Sequence, residues 1–200
     1  MKTWFRFLFA FLAICSPLAL KAQIDIYMKI TTVTGNSPSK LNNVQDYKGT
    51  VDLTGYIQVS SIQFDFAQTN NSVSGGSTGA GKITFNPLVI TKQVNEASGP
   101  LFQAMASGSS FPLVDFVLIK SSQGPKVVIN KITFKQALVK TMAVSSANCD
   151  SVAESISFDY GAYVLTTNSL DDNGTIKSQN IAGWSRLTNT KDINPSVPLK

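Results

Sequence analysis

The 200-residue sequence contains no histidine. Its absence removes the residue that most often activates a serine or cysteine nucleophile, and with it the commonest metal ligand. Cysteine is nearly missing too, with Cys15 and Cys149 as the only two. Cys15 falls in a leader expected to be removed, which excludes a disulfide within the mature chain. Cys149 lies in the polar turn SSANCDS with no basic neighbour to favour the thiolate. It reads as a tolerated, partly exposed thiol, with a disulfide between subunits as the alternative. Charge is scarce at 14%, against 43% apolar residues. The net charge of +5 counts Lys2, Arg6 and Lys21 of the leader; without these three, 14 basic residues face 12 acidic ones. A mature chain near +2 carries no electrostatic footprint for nucleic acid.

No apolar run approaches the roughly 20 residues that span a bilayer, so stable membrane insertion is not expected. The first 22 residues instead have the plan of a secretory signal peptide. Lys2 and Arg6 form a positive start, residues 7–14 an apolar core, and Leu20-Lys21-Ala22 a cleavage site before Gln23. The product is expected to be secreted or periplasmic. A lipoprotein signal at Cys15 is disfavoured because Ile14 stands where a small residue is needed.

What is present is mostly β-patterned. Residues 81–108, GKITFNPLVITKQVNEASGPLFQAMASG, carry the one helix signal. Ile83, Phe85 and Val89 alternate with Lys82, Thr84 and Leu88 as in a strand. Then Val94, Ala97, Leu101, Phe102 and Met105 fall at spacings of three and four, a helical stripe. Ser98 suits an N-cap, Pro100 the first turn and Gly108 the stop, predicting a helix over about residues 98–106. Leu101 and Phe102 are expected to anchor it, with Lys92 and Gln103 off the stripe.

Elsewhere, residues 24–30 alternate strictly and predict a first strand. Residues 34–54, with Gly35, Pro38, Gly49 and several Asn, predict a long loop. In residues 56–66, Ile57 and Val59 are out of phase with Ile62, Phe64 and Phe66, which predicts a β-bulge at Ser60-Ser61. Residues 68–79 form a Ser/Gly/Asn loop. Residues 113–121 are apolar enough to be buried on both faces. Gln123-Gly124-Pro125 makes a turn before a long strand over 126–144, with Ile132, Phe134 and Leu138 on one face and Lys131, Lys135 and Lys140 on the others. Glu154, Ile156, Phe158, Tyr160, Ala162 and Val164 alternate with Ser155, Ser157 and Asp159. Residues 168–179 are turn-rich.

The fold class is therefore mainly β: an antiparallel β-barrel or closed sandwich with one α-helix. Its parts are a leader at 1–22, a single domain at 23–187 and a tail at 188–200, without internal repeats.

Motifs for chemistry are weak. Residues 76–82, GSTGAGK, suggest a phosphate loop, but Ile83 follows Lys82 where Ser or Thr would hold magnesium, and a strand follows where a helix is required. A glycine-rich hairpin loop is the better reading. Asp171-Asp172-Asn173-Gly174 lacks the later bidentate Glu of a calcium loop and reads as a turn. No catalytic, cofactor-binding or metal-binding residue is assigned, no cofactor is expected, and the chain is read as a non-enzyme.

An ordered set of segments resembles one family. Asp25-Ile26-Tyr27-Met28-Lys29-Ile30 is similar to the opening strand of the haemolysin-coregulated protein (Hcp) family, the tube subunits of type VI secretion systems. Gly81-Lys82-Ile83-Thr84-Phe85, Thr91-Lys92-Gln93-Val94-Asn95-Glu96-Ala97-Ser98 and Leu101-Phe102-Gln103-Ala104 resemble its strand-then-helix core. Glu154-Ser155-Ile156-Ser157-Phe158 resembles a late strand, and Gly174-Thr175 through Ala182-Gly183-Trp184 its closing segment. The resemblance spans about residues 24–193. It implies a barrel like that of phage tail tubes, hexameric rings that stack into a tube, and secreted effectors and a spike protein as partners. It also implies contacts between rings through residues 34–54. The alternative is a secreted or periplasmic non-enzymatic binding module that reuses the same barrel.

Overall fold

The computed structural model describes residues 23–33, 44–69, 82–121, 125–148 and 151–191. The leader, Cys149, residues 76–81 of the glycine-rich loop and residues 192–200 of the tail lie outside the described residues, as do residues 34–43.

Two strands organise the fold. β9 (Ser110–Ser121) and β10 (Val127–Asn148) pair antiparallel, and β1 (Gln23–Ile30) pairs β9 along its whole length. β10 is 22 residues long and changes neighbour part-way. Its first half pairs β12 (Ala162–Leu170) from Asn130 to Lys135; its second half pairs β11 (Ser151–Asp159) from Leu138 onward. Between them Gln136 takes a positive φ of 49°. That residue shifts the side-chain phase. Ile132 and Phe134 are buried before it, Ala137 and Val139 after it. Lys135 is buried and Leu138 only half-buried, the reverse of the alternation expected from sequence.

On the far side of β11 lies β8 (Leu88–Gln93), and beyond it β5 (Ser61–Gln63). At the other end, β4 (Ile57–Val59) pairs β1. The hydrogen-bonded order is β4-β1-β9-β10-β11-β8-β5. Its two ends are consecutive in the chain, joined at Ser60, whose N–H donates to the Thr91 carbonyl at 2.7 Å. No ladder joins β4 to β5 among the described residues, so the sheet wraps round without closing into a barrel. The phase break at Ser60-Ser61 is thus a change of partner between two short strands rather than a bulge.

The principal core lies inside this wrap, with Met28, Ile57, Leu88, Ile90, Phe116, Phe134, Ile156 and Phe158 buried. A second cluster lies outside it. β2 (Val44–Asp46) and β3 (Gly49–Val51) form a hairpin within the segment expected to be loop. With Leu53 and Tyr56 they cover Tyr27, Val117, Ile119 and Val128. β9 is consequently buried on both faces: Phe116 joins one cluster, Val117 and Ile119 the other. The hairpin is held by the Gln45 N–H on the Lys126 carbonyl at 2.9 Å and by Asn168 Nδ2 on Asp46 Oδ1 at 2.7 Å.

The helix α1 runs Ser98–Ser107 and stops at Gly108, in the left-handed region at φ 67°. Glycine adopts that conformation without a Cβ clash. Only a narrow stripe faces inward: Ala97, Leu101 and Ala104 are buried, whereas Phe102 is 56% exposed and Val94 is also exposed. Phe102 is not an anchor, because it sits about 100° round the helix from Leu101 and the sheet offers no second wall there. The strand expected across Lys82–Val89 is two. β7 (Lys82–Phe85) pairs β6 (Phe66–Thr69) in a separate two-stranded sheet, and the chain breaks at Asn86-Pro87 before β8. In β8, Leu88 and Ile90 point inward and Val89 is half-buried, the opposite of the predicted phase.

Among the described residues the last strand, β13 (Ile176–Ser185), pairs β12 alone, apart from an isolated bridge between Ser185 and Thr190.

Candidate functional site

The sequence motifs do not build a site. Lys82 opens a strand, so the glycine-rich loop has no helix N-terminus after it. Asp171 Oδ1 accepts from the N–H groups of Asn173 (3.0 Å) and Thr175 (2.8 Å), an Asx turn that joins β12 to β13. Among the described residues no three His, Cys, Asp or Glu side chains cluster as for a metal ion.

The polar feature that sequence reasoning missed is a buried ion pair. Lys92 on β8 and Glu154 on β11 face each other across the ladder, with Nζ and Oε1 2.5 Å apart and both side chains at 0% exposure. Lys92 Nζ also reaches the Gln93 carbonyl at 3.0 Å, Asn95 Oδ1 at 2.7 Å and Ser98 Oγ at 3.1 Å. Ser98 Oγ donates to Glu154 Oε1 at 2.8 Å and accepts the Asn95 N–H at 3.1 Å. Ser98 is therefore not the N-cap; Ala97 holds that position, and its N–H goes to Asn95 Oδ1 at 3.1 Å. The signal for the pair was in the alternation: Lys92 continues the inward phase of Leu88 and Ile90, and Glu154 that of Ile156 and Phe158.

A lysine ammonium has three protons, and here four acceptors lie within reach of them. The one proton of Ser98 Oγ goes to Oε1. Glu154 Oε2 is buried and accepts no hydrogen bond from the described residues. Beside it opens a cleft of about 520 Å³ between the start of α1 and the β10–β11 hairpin, where the polar side chains of Gln93, Ser98, Ser151 and Glu154 meet the apolar ones of Val94, Met142, Val144 and Val152. Val94, Val144 and Val152 are exposed.

A second polar station fixes the turn between β11 and β12. Arg186 Nη1 donates to Asp159 Oδ1 at 2.6 Å and to the Tyr160 carbonyl at 2.7 Å. Its guanidinium lies 5.2 Å from the Tyr160 ring centre and 5.6 Å from that of Phe85. Burial pushes the Asp159 carboxyl up, but the Arg186 bond, the Tyr160 amide and the charges of Arg186 and Lys140 bring it below the ordinary value. Burial pushes Tyr160 up to about 12 despite the Arg186 charge, and Tyr56 likewise to about 12 with help from Asp115, Asp52 and Asp46. Asp159, Tyr160 and Arg186 also line a second open cleft of about 540 Å³, with Gln136, Leu138 and Leu187.

The third feature is the edge of β13. Among the described residues its ten residues carry one ladder, with a bridge to Thr190 at Ser185, so much of its outer edge has no strand beside it, and Ile181 is 44% exposed.

Comparison with known families decides the larger question. Residues 27–166 match the family described as type VI secretion system effector, Hcp. The chain belongs to the Hcp family. Among solved structures, this Hcp-family chain is similar to one described as a type six secretion system protein, at 25% identity over 85% of this chain and 100% of that one, with a TM-score of 0.73. It is similar in fold to Hcp1 from Salmonella typhimurium, at 21% identity over 84% and 99% of the two chains (TM-score 0.63). A type VI secretion system effector from Yersinia pestis follows at 17% over 80% and 99% (TM-score 0.58). The comparison with curated proteins found no match. The expected family and β-rich architecture therefore hold, and this Hcp-family chain is of the type VI secretion tube or effector kind.

Proposed function

We propose that this chain is a structural ring subunit: six copies close into a ring, rings stack into a tube, and the lumen carries effectors behind a spike protein. The exported form would begin at Gln23, after removal of residues 1–22. The chain acts through its interfaces and not by catalysis.

The observation that carries this reading is the edge of β13, ten residues with a single ladder among the described residues. Soluble proteins protect such edges with proline, clustered lysine or a bulge. β13 has no proline, and its one lysine, Lys177, sits where the register with β12 shifts, so these devices are confined to the start of the strand. Beyond that start, an edge with no second ladder among the described residues, on a member of this family, fits a surface kept for assembly. Low surface charge supports it, since copies with 14% charged residues repel one another little. The segment 34–54 remains the candidate for contacts between rings. Its Val44–Asp46 part is built into the sheet, so a deletion that probes stacking has to stop short of Val44.

Size exclusion coupled to light scattering tests the ring. The expected mass is near six times that of residues 23–200. A clean monomer across micromolar concentrations overturns the ring and leaves the secreted binding module as the reading.

A further inference from the structure

Removal of residues 1–22 would leave Gln23 as the first residue, and an N-terminal glutamine carries both partners of a cyclisation. We infer that Gln23 is a modification site, where the new α-amine closes on the side-chain amide to give an N-terminal pyroglutamate. This rests on the export reading above and states what becomes of the end it creates.

The reaction is internal to one residue. The neutral α-amine attacks Cδ of the Gln23 side chain, the new N–Cδ bond closes a five-membered lactam, and the Cδ–Nε2 bond breaks. Nε2 leaves as ammonia, taking one proton from the α-amine. No oxidant, metal or cofactor is consumed. Because amine and amide share a residue, there is no cost of bringing two reactants together. An α-amine ionises at about 7.7–8.0, so a neutral, reactive fraction exists at neutral pH.

The structure leaves this end open both to the reaction and to glutaminyl cyclases, the enzymes that accelerate it. Gln23 opens β1, and its side chain and that of Ile24 are exposed. Among the described residues the Gln23 side-chain amide makes one hydrogen bond, from Nε2 to Asp25 Oδ1 at 2.9 Å, on the exposed surface. Losing it leaves Asp25 anchored, because Ser121 Oγ donates to the other oxygen, Oδ2, at 2.8 Å. The fold accommodates the product as well. Gln23 lies opposite Ser121, where β1 begins its ladder with β9. The lactam keeps one N–H at that position, as a peptide bond would, and removes the charge of a terminal ammonium. The ring ties the nitrogen to the side chain and leaves ψ, which sets the course of the strand, free. β1 lies between β4 and β9 and carries Met28 and Ile30 into the core. A lactam offers no free α-amine to an aminopeptidase, so cyclisation seals this strand against trimming.

The test uses the full chain, exported from a bacterial host and treated, folded, with glutaminyl cyclase. Its intact mass should equal that of residues 23–200 less one ammonia. Aminopeptidase should then leave it whole until pyroglutamyl peptidase removes the lactam. Gln23→Ser, exported and treated alike, should lose no ammonia and should be trimmed directly. A product that begins at Gln23 and keeps its full mass after cyclase overturns the modification and leaves the cleavage standing. A product that begins at any other residue overturns both.

Discussion

Lys92 and Glu154 bring two full charges together at 0% exposure, and the balance there is narrow. Removing a charge from water costs several kcal/mol, and only close pairing with well-placed hydrogen bonds offsets it. Asn95 and Ser98 supply those bonds for Lys92 and for one carboxylate oxygen. Breaking the pair from one side leaves an uncompensated buried charge. Lys92→Met or Glu154→Gln should each lower stability by about 3–5 kcal/mol in denaturant unfolding. Replacing both with apolar residues should cost much less than the two losses added, as a double-mutant cycle would show. Lys92 therefore matters far more than its place off the helical stripe suggested. The buried tyrosines set a second expectation. Tyr56 and Tyr160 ionise near 12 when folded, against an ordinary value of 10.0. Above pH 10 the unfolded chain loses phenol protons that the folded chain keeps, so stability should fall as pH rises from 10 towards 12. Thermal midpoints against pH, with phenolate absorbance followed in parallel, would check both the fall and its cause.

At the scale of elements, α1 is held by a stripe one residue wide per turn. Leu101 is fully buried and Phe102 stands out in solvent, although both are large, apolar and adjacent. Leu101→Ala should lose about 2–5 kcal/mol, from transfer plus the cavity left behind. Phe102→Ala should change stability by no more than about 0.5 kcal/mol, as for other surface positions. Denaturant midpoints of the two variants measure this directly, and equal shifts would mean the helix is turned on its axis. β10 shows how one residue can redirect a long strand. Gln136 at φ 49° moves the inward face from Ile132 and Phe134 to Ala137 and Val139 as the neighbour changes from β12 to β11. The strand thereby serves two parts of the wrap without interrupting its pairing with β9.

For the whole molecule, a wrapped sheet whose end strands are joined at Ser60 leaves β13 as a long strand with one ladder among the described residues. Assembly that covers such an edge binds folded subunits only, so it stabilises the fold by mass action. The thermal midpoint of wild type should therefore rise with protein concentration over the range in which rings form. Scanning calorimetry at several concentrations provides the comparison.

Local periodicity and end signals were enough to place the first strand at residues 24–30, the helix between Ser98 and Gly108, and the inward series from Glu154 to Val164. Each depends on side-chain spacing or on a backbone conformation set within a few residues, so sequence alone determines it. The family was legible for a related reason: its strand and helix segments recur in order, and their order survives changes in detail. Other features depend on which strand lies next to which. Ser60 reads as a bulge until β4 and β5 are seen to pair with different strands. Residues 44–51 read as loop because three-residue strands carry almost no pattern, and a second core is what holds them. Lys92 reads as a surface lysine until β11 brings Glu154 across from it, and Phe102 as an anchor until the sheet leaves no wall beside it. Only tertiary structure decides these, because burial and charge pairing are properties of neighbours distant in the chain.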